Sequence, residues 1–445
     1  MQKPLTLIVS DLHMGDGSSS DDFVDDKNQF AKFLAEQLLT DRGKKGEIEL
    51  IINGDFLEFV MVRPDLYTLN SRDYWCSRDE SVEKLKTLLK GHPKVFKAIA
   101  DFQVPGNVVT IFAGNHDIDL YWPEVRDLLR TKTGNVNIEL KADTYYRYGN
   151  RLHISHGHLF PTIDTVNGFS KWADPILPLP ADSDPKRLQM CDGTLFVVRL
   201  VNPLTAKYPF ANNLHPETEI LRVLLREDAW GLRTVAWLGS RFIAQHPGAA
   251  LSATGTAASG AELLNAIQLD SFFREKIAGL CRDLLKIPDM TADKVLQKYA
   301  TEDDVAELLA ALLEADGTMS KWIDVIEIAK PGTSSVGSAG GEVLGIIETG
   351  RIDVRAACAT IARGKWLAGA EIVVLGHTHL PEEIEENGRK YYNPGSWTRY
   401  IDNPAGLKLA DLMDETKYPY KLKCVRIEEI DGKLTSEMIL IDRKP

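Results

Sequence analysis

Five β-like runs along this chain, at residues 5–9, 48–52, 108–112, 151–154 and 372–375, each lead into a short motif rich in Asp, Asn and His. The motifs are Asp11-Leu12-His13, Gly54-Asp55, Gly114-Asn115-His116-Asp117, His156-Gly157-His158 and Gly376-His377-Thr378-His379. Several of the runs are continuously apolar, as expected of strands covered on both faces. Between the first and second, residues 28–40 place Phe30, Phe33, Leu34 and Leu38 on one helical side. Between the second and third, residues 81–102 repeat apolar side chains at helical spacing, with a break at Gly91-His92-Pro93. Strands alternating with helices, with polar residues at strand ends, predict an α/β fold whose functional side chains gather at the carboxyl edges of a sheet.

One such motif alone is weak, because Asp-x-His or Gly-Asp is ordinary turn chemistry. The ordered set is strong: carboxylate, amide and imidazole groups at the mouths of neighbouring strands can converge on two cations about 3.5–4 Å apart. A carboxylate can give one oxygen to each of two cations, an Asn carbonyl adds a neutral oxygen, and imidazoles supply nitrogen ligands suited to Mn, Fe or Zn. Such a pair of ions turns a bridging water into hydroxide near neutral pH, orients a phosphate and neutralises the charge of an in-line transition state. What the protein then needs is a proton donor. His116, beside Asn115, is placed to protonate the leaving alkoxide, with Asp117 available to orient that imidazole or raise its pKa.

In this order the motifs resemble those of the calcineurin-like metallophosphoesterase superfamily, over about residues 5–160 and 370–445. The resemblance implies an α/β (α+β) four-layer αββα sandwich of the metallo-dependent phosphatase type, here interrupted by a large, mainly helical insertion. It implies that Asp11, His13, Asp55 and His379 hold one divalent metal and that Asp55, Asn115, His156 and His377 hold the other, with Asp55 bridging and Mn as the first expectation. Phosphoprotein phosphatases of that superfamily carry Asp-Arg-Gly after Gly-Asp, whereas this chain reads Gly54-Asp55-Phe56-Leu57-Glu58-Phe59. The wording is more similar to the UDP-2,3-diacylglucosamine pyrophosphatase branch, through Ser10-Asp11-Leu12-His13, Asp55-Phe56-Leu57-Glu58 and Gly376-His377-Thr378-His379-Leu380-Pro381. It departs from that branch at His158, where Asp is usual, and in the size of the insertion. The expected activity is therefore hydrolysis of a small or lipid-linked phosphoester by a metal-bridging hydroxide, with His116 as proton donor. A nuclease and a non-catalytic scaffold on the same fold are the alternatives, the first disfavoured by charge and the second by the intact motifs.

A chain of 445 residues exceeds what one hydrophobic core usually supports. After His158 strand signals are sparse and helical patterns dominate, at 217–225, 230–243, 261–285, 292–299, 303–313 and 343–367, separated by small-residue loops at 246–260 and 331–341. The expected division is residues 1–164 and 368–445 as two parts of one catalytic domain, with 165–367 as a lid or an interaction surface, including a homo-oligomer contact. The second part is expected to close with a hairpin around Asp431-Gly432. A net charge of −12 disfavours nucleic acid as a partner. Five scattered cysteines without a CxxC pair fit reduced thiols, and residues 1–9 lack a signal-peptide hydrophobic region, so a cytoplasmic location is expected. The most apolar long segment, 232–255, contains Arg233, Arg241 and His246, which excludes a transmembrane span and leaves only peripheral membrane contact. Among the other histidines, His153 reads as a packed strand residue, His158 as a neighbour of the ligands or a surface group, with contact to metal or substrate as the alternative, and His92, His215 and His246 as surface or loop residues.

Overall fold

The computed structural model describes residues 5–18, 21–23, 28–62, 75–140, 145–160, 271–301, 354–402 and 407–441, with shorter stretches between 187 and 268 and the single positions 304 and 308. The predicted helices at 230–243, most of those at 217–225 and 303–313, and the two small-residue loops lie outside the described residues.

The first sheet runs in the order β13-β12-β1-β2-β3-β4. Its strands are β1 (Leu5–Val9), β2 (Ile48–Asn53), β3 (Val108–Phe112), β4 (Asn137–Glu139), β12 (Lys423–Ile430) and β13 (Lys433–Leu440). Strands β1 to β4 pair in parallel, and the β12–β13 hairpin joins antiparallel along β1, with Ile8 opposite Val425. The second sheet runs β5-β6-β8-β10-β9, from Tyr145–Arg147, Leu152–Ile154, Ile372–Val374, Arg389–Asn393 and Glu382–Glu386 respectively. Its centre, β6-β8-β10, is again parallel.

Alternation along the strands explains how the sheets stack. Ile8, Ile51, Phe112, Val425 and Ile427 of the first sheet share one apolar cluster with Leu152, Ile154, Ile372, Val374 and Tyr392 of the second. Leu7, Val9, Leu50 and Ile52 point the other way, into a cluster with Phe30, Phe33, Leu85, Leu88, Phe96, Ile99 and Leu129 from the helices Gln29–Leu39, Arg78–Gly91, Pro93–Gln103 and Pro123–Thr133. On the far side of the second sheet, Val373, Leu375 and Tyr391 pack on Cys358, Ala362 and Trp366 of the helix Val354–Leu367. That helix was grouped with the insertion on sequence pattern, and it lies on the sheet.

Helix boundaries follow local chemistry. The helix Arg78–Gly91 starts at a capping box in which Glu80 N donates to Ser77 Oγ and Ser77 N donates to Glu80 Oε2. Its successor starts at Pro93, which has no N–H to leave unpaired at a first turn. Of the region between the two sheet-forming parts, Leu204, Tyr208, Ala211 and Leu214 pack on Leu412 and Tyr418. There β7 (Leu214–His215) pairs in parallel with β11 (Ile401–Asp402). The helices Ser271–Asp283 and Ala292–Lys298 pack on each other. All five cysteines are buried and outside disulfides, and no helix among the described residues is long and apolar enough to cross a membrane.

Candidate metal centre

The motif residues sit where the parallel strands of both sheets end. Asp11 and His13 follow β1, Asp55 follows β2, Asn115 and His116 follow β3, His156 follows β6, and His377 and His379 follow β8. Backbone hydrogen bonds from Asp11 N to Gly54 O (3.1 Å) and from His13 N to Asp55 O (2.9 Å) extend the β1–β2 ladder into the loops. Gly376 N donates to His156 O at 2.8 Å and ties the second sheet's two motifs together.

These loops are strained. Asp11, His13, Asp55, His377 and His379 all have positive φ, between 46° and 69°, a region that costs a side-chain-bearing residue on the order of 1 kcal/mol or more. Glycines provide the close approaches. A Cβ on Gly54 would overlap the ring of His156, and one on Gly376 would collide with Ser10 Oγ and lie 2.7 Å from Asp11 Oδ2.

The side chains form groups whose ligand atoms lie within 4.8 Å of one another: Asp11, His13, Asp55 and His379 in one, and Asp55, His156 and His377 in another. Asp55 Oδ2 stands between them, 3.6 Å from His13 Nε2 and 3.2 Å from His156 Nε2. Asn115 Oδ1 is 3.3 Å from the same His156 nitrogen. All seven residues expected as ligands are thus brought to one place, although His379 is partly exposed and the others of the first group are buried.

The chemistry of this donor set fits divalent cations. His156 gives its Nδ1–H to Asn53 O at 2.8 Å, so the neutral ring turns a lone pair toward Asp55 and Asn115, which are acceptors too. His13 likewise gives Nδ1–H to Glu58 Oε2 at 2.6 Å and faces His379 Nε2 at 2.9 Å, itself 3.5 Å from Asp11 Oδ1. Lone pairs confronting lone pairs in a buried space call for positive charge between them. The titration shifts carry the same message. Burial opposes a charge on His156, yet Asp55 and Asp11 raise it to about 9, and His377, buried beside His156, drops to about 3.

Glu58 is the residue that sequence reasoning missed. Its two oxygens lie 2.8 Å from His116 Nδ1, and one also holds His13. Burial alone would raise Glu58, but His116 and His13 outweigh it and hold the acid at about 2. His116, despite burial, is pushed up to about 10 by Glu58 and Asp55. Its backbone N–H donates to Asp55 Oδ1 at 2.9 Å, and the ring stands edge-on to His13 at 4.7 Å. Asp117 is placed differently from the expectation that it orients His116 directly: its carboxylate accepts the backbone N–H groups of Phe56 (3.1 Å), Leu57 (2.9 Å) and Gly114 (3.0 Å). It ties the Asp55 loop to the Asn115 loop and adds to the charge around His116 at longer range. A signal for Glu58 was present, since a carboxylate inside the apolar run Phe56 to Val60 needs a cationic partner once that run is buried.

His158 is buried, 5.2 Å ring to ring from His156 and 6.3 Å from His377, and stands outside both ligand groups. His153 is buried in β6, where desolvation and Lys365 hold it at about 3. His92 Nε2–H donates to Asp21 Oδ2 at 2.7 Å.

No family model matches this chain, and no curated protein does. Among solved structures, wild-type Vps29 of Entamoeba histolytica in complex with Zn2+ is similar at 24% sequence identity with a TM-score of 0.10, over 20% of this chain and 47% of its own length. This chain therefore spans less than half of that protein, and at such a score the likeness carries no weight for function.

Proposed function

We propose that this protein is a dinuclear-metal-dependent phosphoester hydrolase, a phosphatase or phosphodiesterase, on a four-layer αββα sandwich with residues 165–367 as a largely helical insertion. The single observation that carries this reading is Asp55 Oδ2, which lies within 3.6 Å of an imidazole from each ligand group. A shared carboxylate between two oxygen- and nitrogen-rich pockets is what fixes two cations at a common spacing. Asp11, His13, Asp55 and His379 would hold one ion and Asp55, Asn115, His156 and His377 the other, with Mn, Fe or Zn suited to the mixed donors. When bound, the ions would supply an activated water and neutralise phosphate charge.

The chain's own residues supply the rest. Glu58 fixes the Nδ1–H of both His13 and His116, so that each ring directs Nε2 away from it. His116, kept protonated by Glu58 and Asp55 and partly open to solvent, gives the Nε2 proton to the departing alkoxide. Asp117 keeps the two loops that carry Asp55 and His116 in register.

The test is hydrolysis of bis-p-nitrophenyl phosphate and p-nitrophenyl phosphate by the purified protein, with EDTA or with added Mn, Zn or Fe. Turnover should require metal and vanish in Asp55→Ala. Turnover unaffected by EDTA, or retained in Asp55→Ala, would refute the dinuclear reading.

A further inference from the structure

We infer that Asp22, Asn212 and Asn213 form a recognition subsite beside the candidate metal centre, taking hydroxyl or ammonium donors from the alcohol half of the phosphoester. The inference rests on the phosphoester reading above and adds the substrate class.

Three asparagines between residues 202 and 213 each have the amide nitrogen committed to an oxygen. Asn212 Nδ2 donates to Asp22 Oδ2 at 2.6 Å, Asn213 Nδ2 to Arg399 O at 2.7 Å, and Asn202 Nδ2 to Val60 O at 3.1 Å. The amide of Asn213 reaches Asp22 as well. Rotating any of these amides would set oxygen against oxygen, so the three orientations are fixed by their acceptors. Each Oδ1 therefore faces the opposite way, and each is buried with no hydrogen-bond partner among the described residues. Asn213 and Asn202 are only 4% and 6% exposed. Folded proteins leave few buried amide oxygens without a donor, and a cluster of them marks a place where donors arrive from outside the chain.

The location ties the cluster to the chemistry. Asn212 Nδ2 is 4.0 Å from Met61 Sδ, and Met61 N donates at 3.2 Å to Glu58 Oε1. Glu58 in turn holds His13 and His116. Asn202 sits on the neighbouring Val60 carbonyl. Met61 thus links Asn212 to Glu58, and the charge of Asp22 is felt at both His13 and Glu58. All the groups on offer are acceptors, and one is a carboxylate. They suit O–H or N–H donors and oppose a second phosphate or a carboxylate. A phosphoester whose alcohol is a polyol or an amino alcohol presents such donors a few bonds from phosphorus.

Isothermal titration of the Mn-loaded protein with phenyl phosphate, glycerol 1-phosphate and phosphoethanolamine tests this. At least one of the donor-bearing esters should bind about tenfold or more tightly than phenyl phosphate. In Asn212→Leu that ratio should fall to about one, and in Asp22→Asn a preference for phosphoethanolamine should be lost before one for glycerol 1-phosphate. Binding of phenyl phosphate by each variant reports that it is folded. A wild-type protein that binds all three alike, or a preference kept in both variants, would overturn the subsite while leaving the phosphoester reading intact. Binding of none of the three by the wild type would overturn the phosphoester reading and the subsite with it.

Discussion

Changing Glu58 to Gln preserves the side chain's shape while removing its charge and one acceptor oxygen. In the native site the carboxylate accepts from His13 Nδ1 at 2.6 Å, from His116 Nδ1 at 2.8 Å and from Met61 N at 3.2 Å. A carboxamide has one oxygen for these donors, and its NH2 faces N–H groups. At least one of the three donors must lose its partner, and neither imidazole keeps a charged one. Hydrogen bonds to a charged group contribute roughly 1.5–3 kcal/mol, so freeing one ring corresponds to about a 10–100-fold effect. If the freed ring is His116, kcat falls and metal stays; if it is His13, the ion it shares with Asp11 and His379 is lost first. We expect Glu58→Gln to lower kcat on bis-p-nitrophenyl phosphate by about 10–100-fold and to weaken one of two Mn sites by about tenfold. Metal per chain after dialysis, measured by plasma mass spectrometry, separates the two routes, and His116→Ala should slow turnover with both ions retained. A Glu58→Gln protein with kcat within twofold and unchanged metal content would refute the positioning role.

Three further outcomes follow from the geometry. Lys84 and Asp119 form an ion pair at 2.5 Å with both side chains fully buried, so Lys84→Met should destabilise by about 3–5 kcal/mol in urea unfolding, and the double variant Lys84→Met/Asp119→Leu should recover most of that. His153 is held near 3 by burial and Lys365, below its unfolded value. The unfolded chain therefore binds a proton that the fold refuses as pH drops below about 6.5, and stability falls from there toward pH 3. His153→Leu should flatten the urea-midpoint profile on the acid side, by about 2 kcal/mol at pH 5, and an unchanged acid limb would contradict the assignment. Gly376→Ala puts a methyl group against Ser10 and Asp11, so metal content should drop even where circular dichroism shows an intact fold.

Much of the framework was readable from local pattern. Leu5–Val9 and Val108–Phe112 are strands over the residues that the largely apolar, β-branched runs indicate, because strands covered on both faces favour such sequences. Gly91-His92-Pro93 separates two helices since Pro93 cannot continue the first and starts the second. The C-terminal hairpin turns at Asp431 and Gly432, both at positive φ. The ligand motifs were legible because each lies next to its strand. The partners of Glu58 and Asp117 and the whole Asp22 cluster were not, for those meetings span 58, 61 and 190 residues of sequence, and no local periodicity encodes them. The left-handed backbone of the ligand loops was equally hidden, because Asp and His carry no sequence mark that separates a strained turn from a relaxed one.

The order of strands in the first sheet has a consequence for biosynthesis. β1 ends at Val9, yet the strand that covers one of its edges, β12, starts at Lys423 and is translated roughly 400 residues later. At about 5–20 residues per second that is an interval of some 20–80 seconds. Throughout it a mostly apolar strand, Leu-Thr-Leu-Ile-Val, offers an open hydrogen-bonding edge, the kind of surface that recruits other chains. The nascent protein thus needs either shielding of that edge or a slow commitment of β1 to β2. The stretch from Gly376 through β13 is as decisive for covering that edge as it is for the ligands it brings.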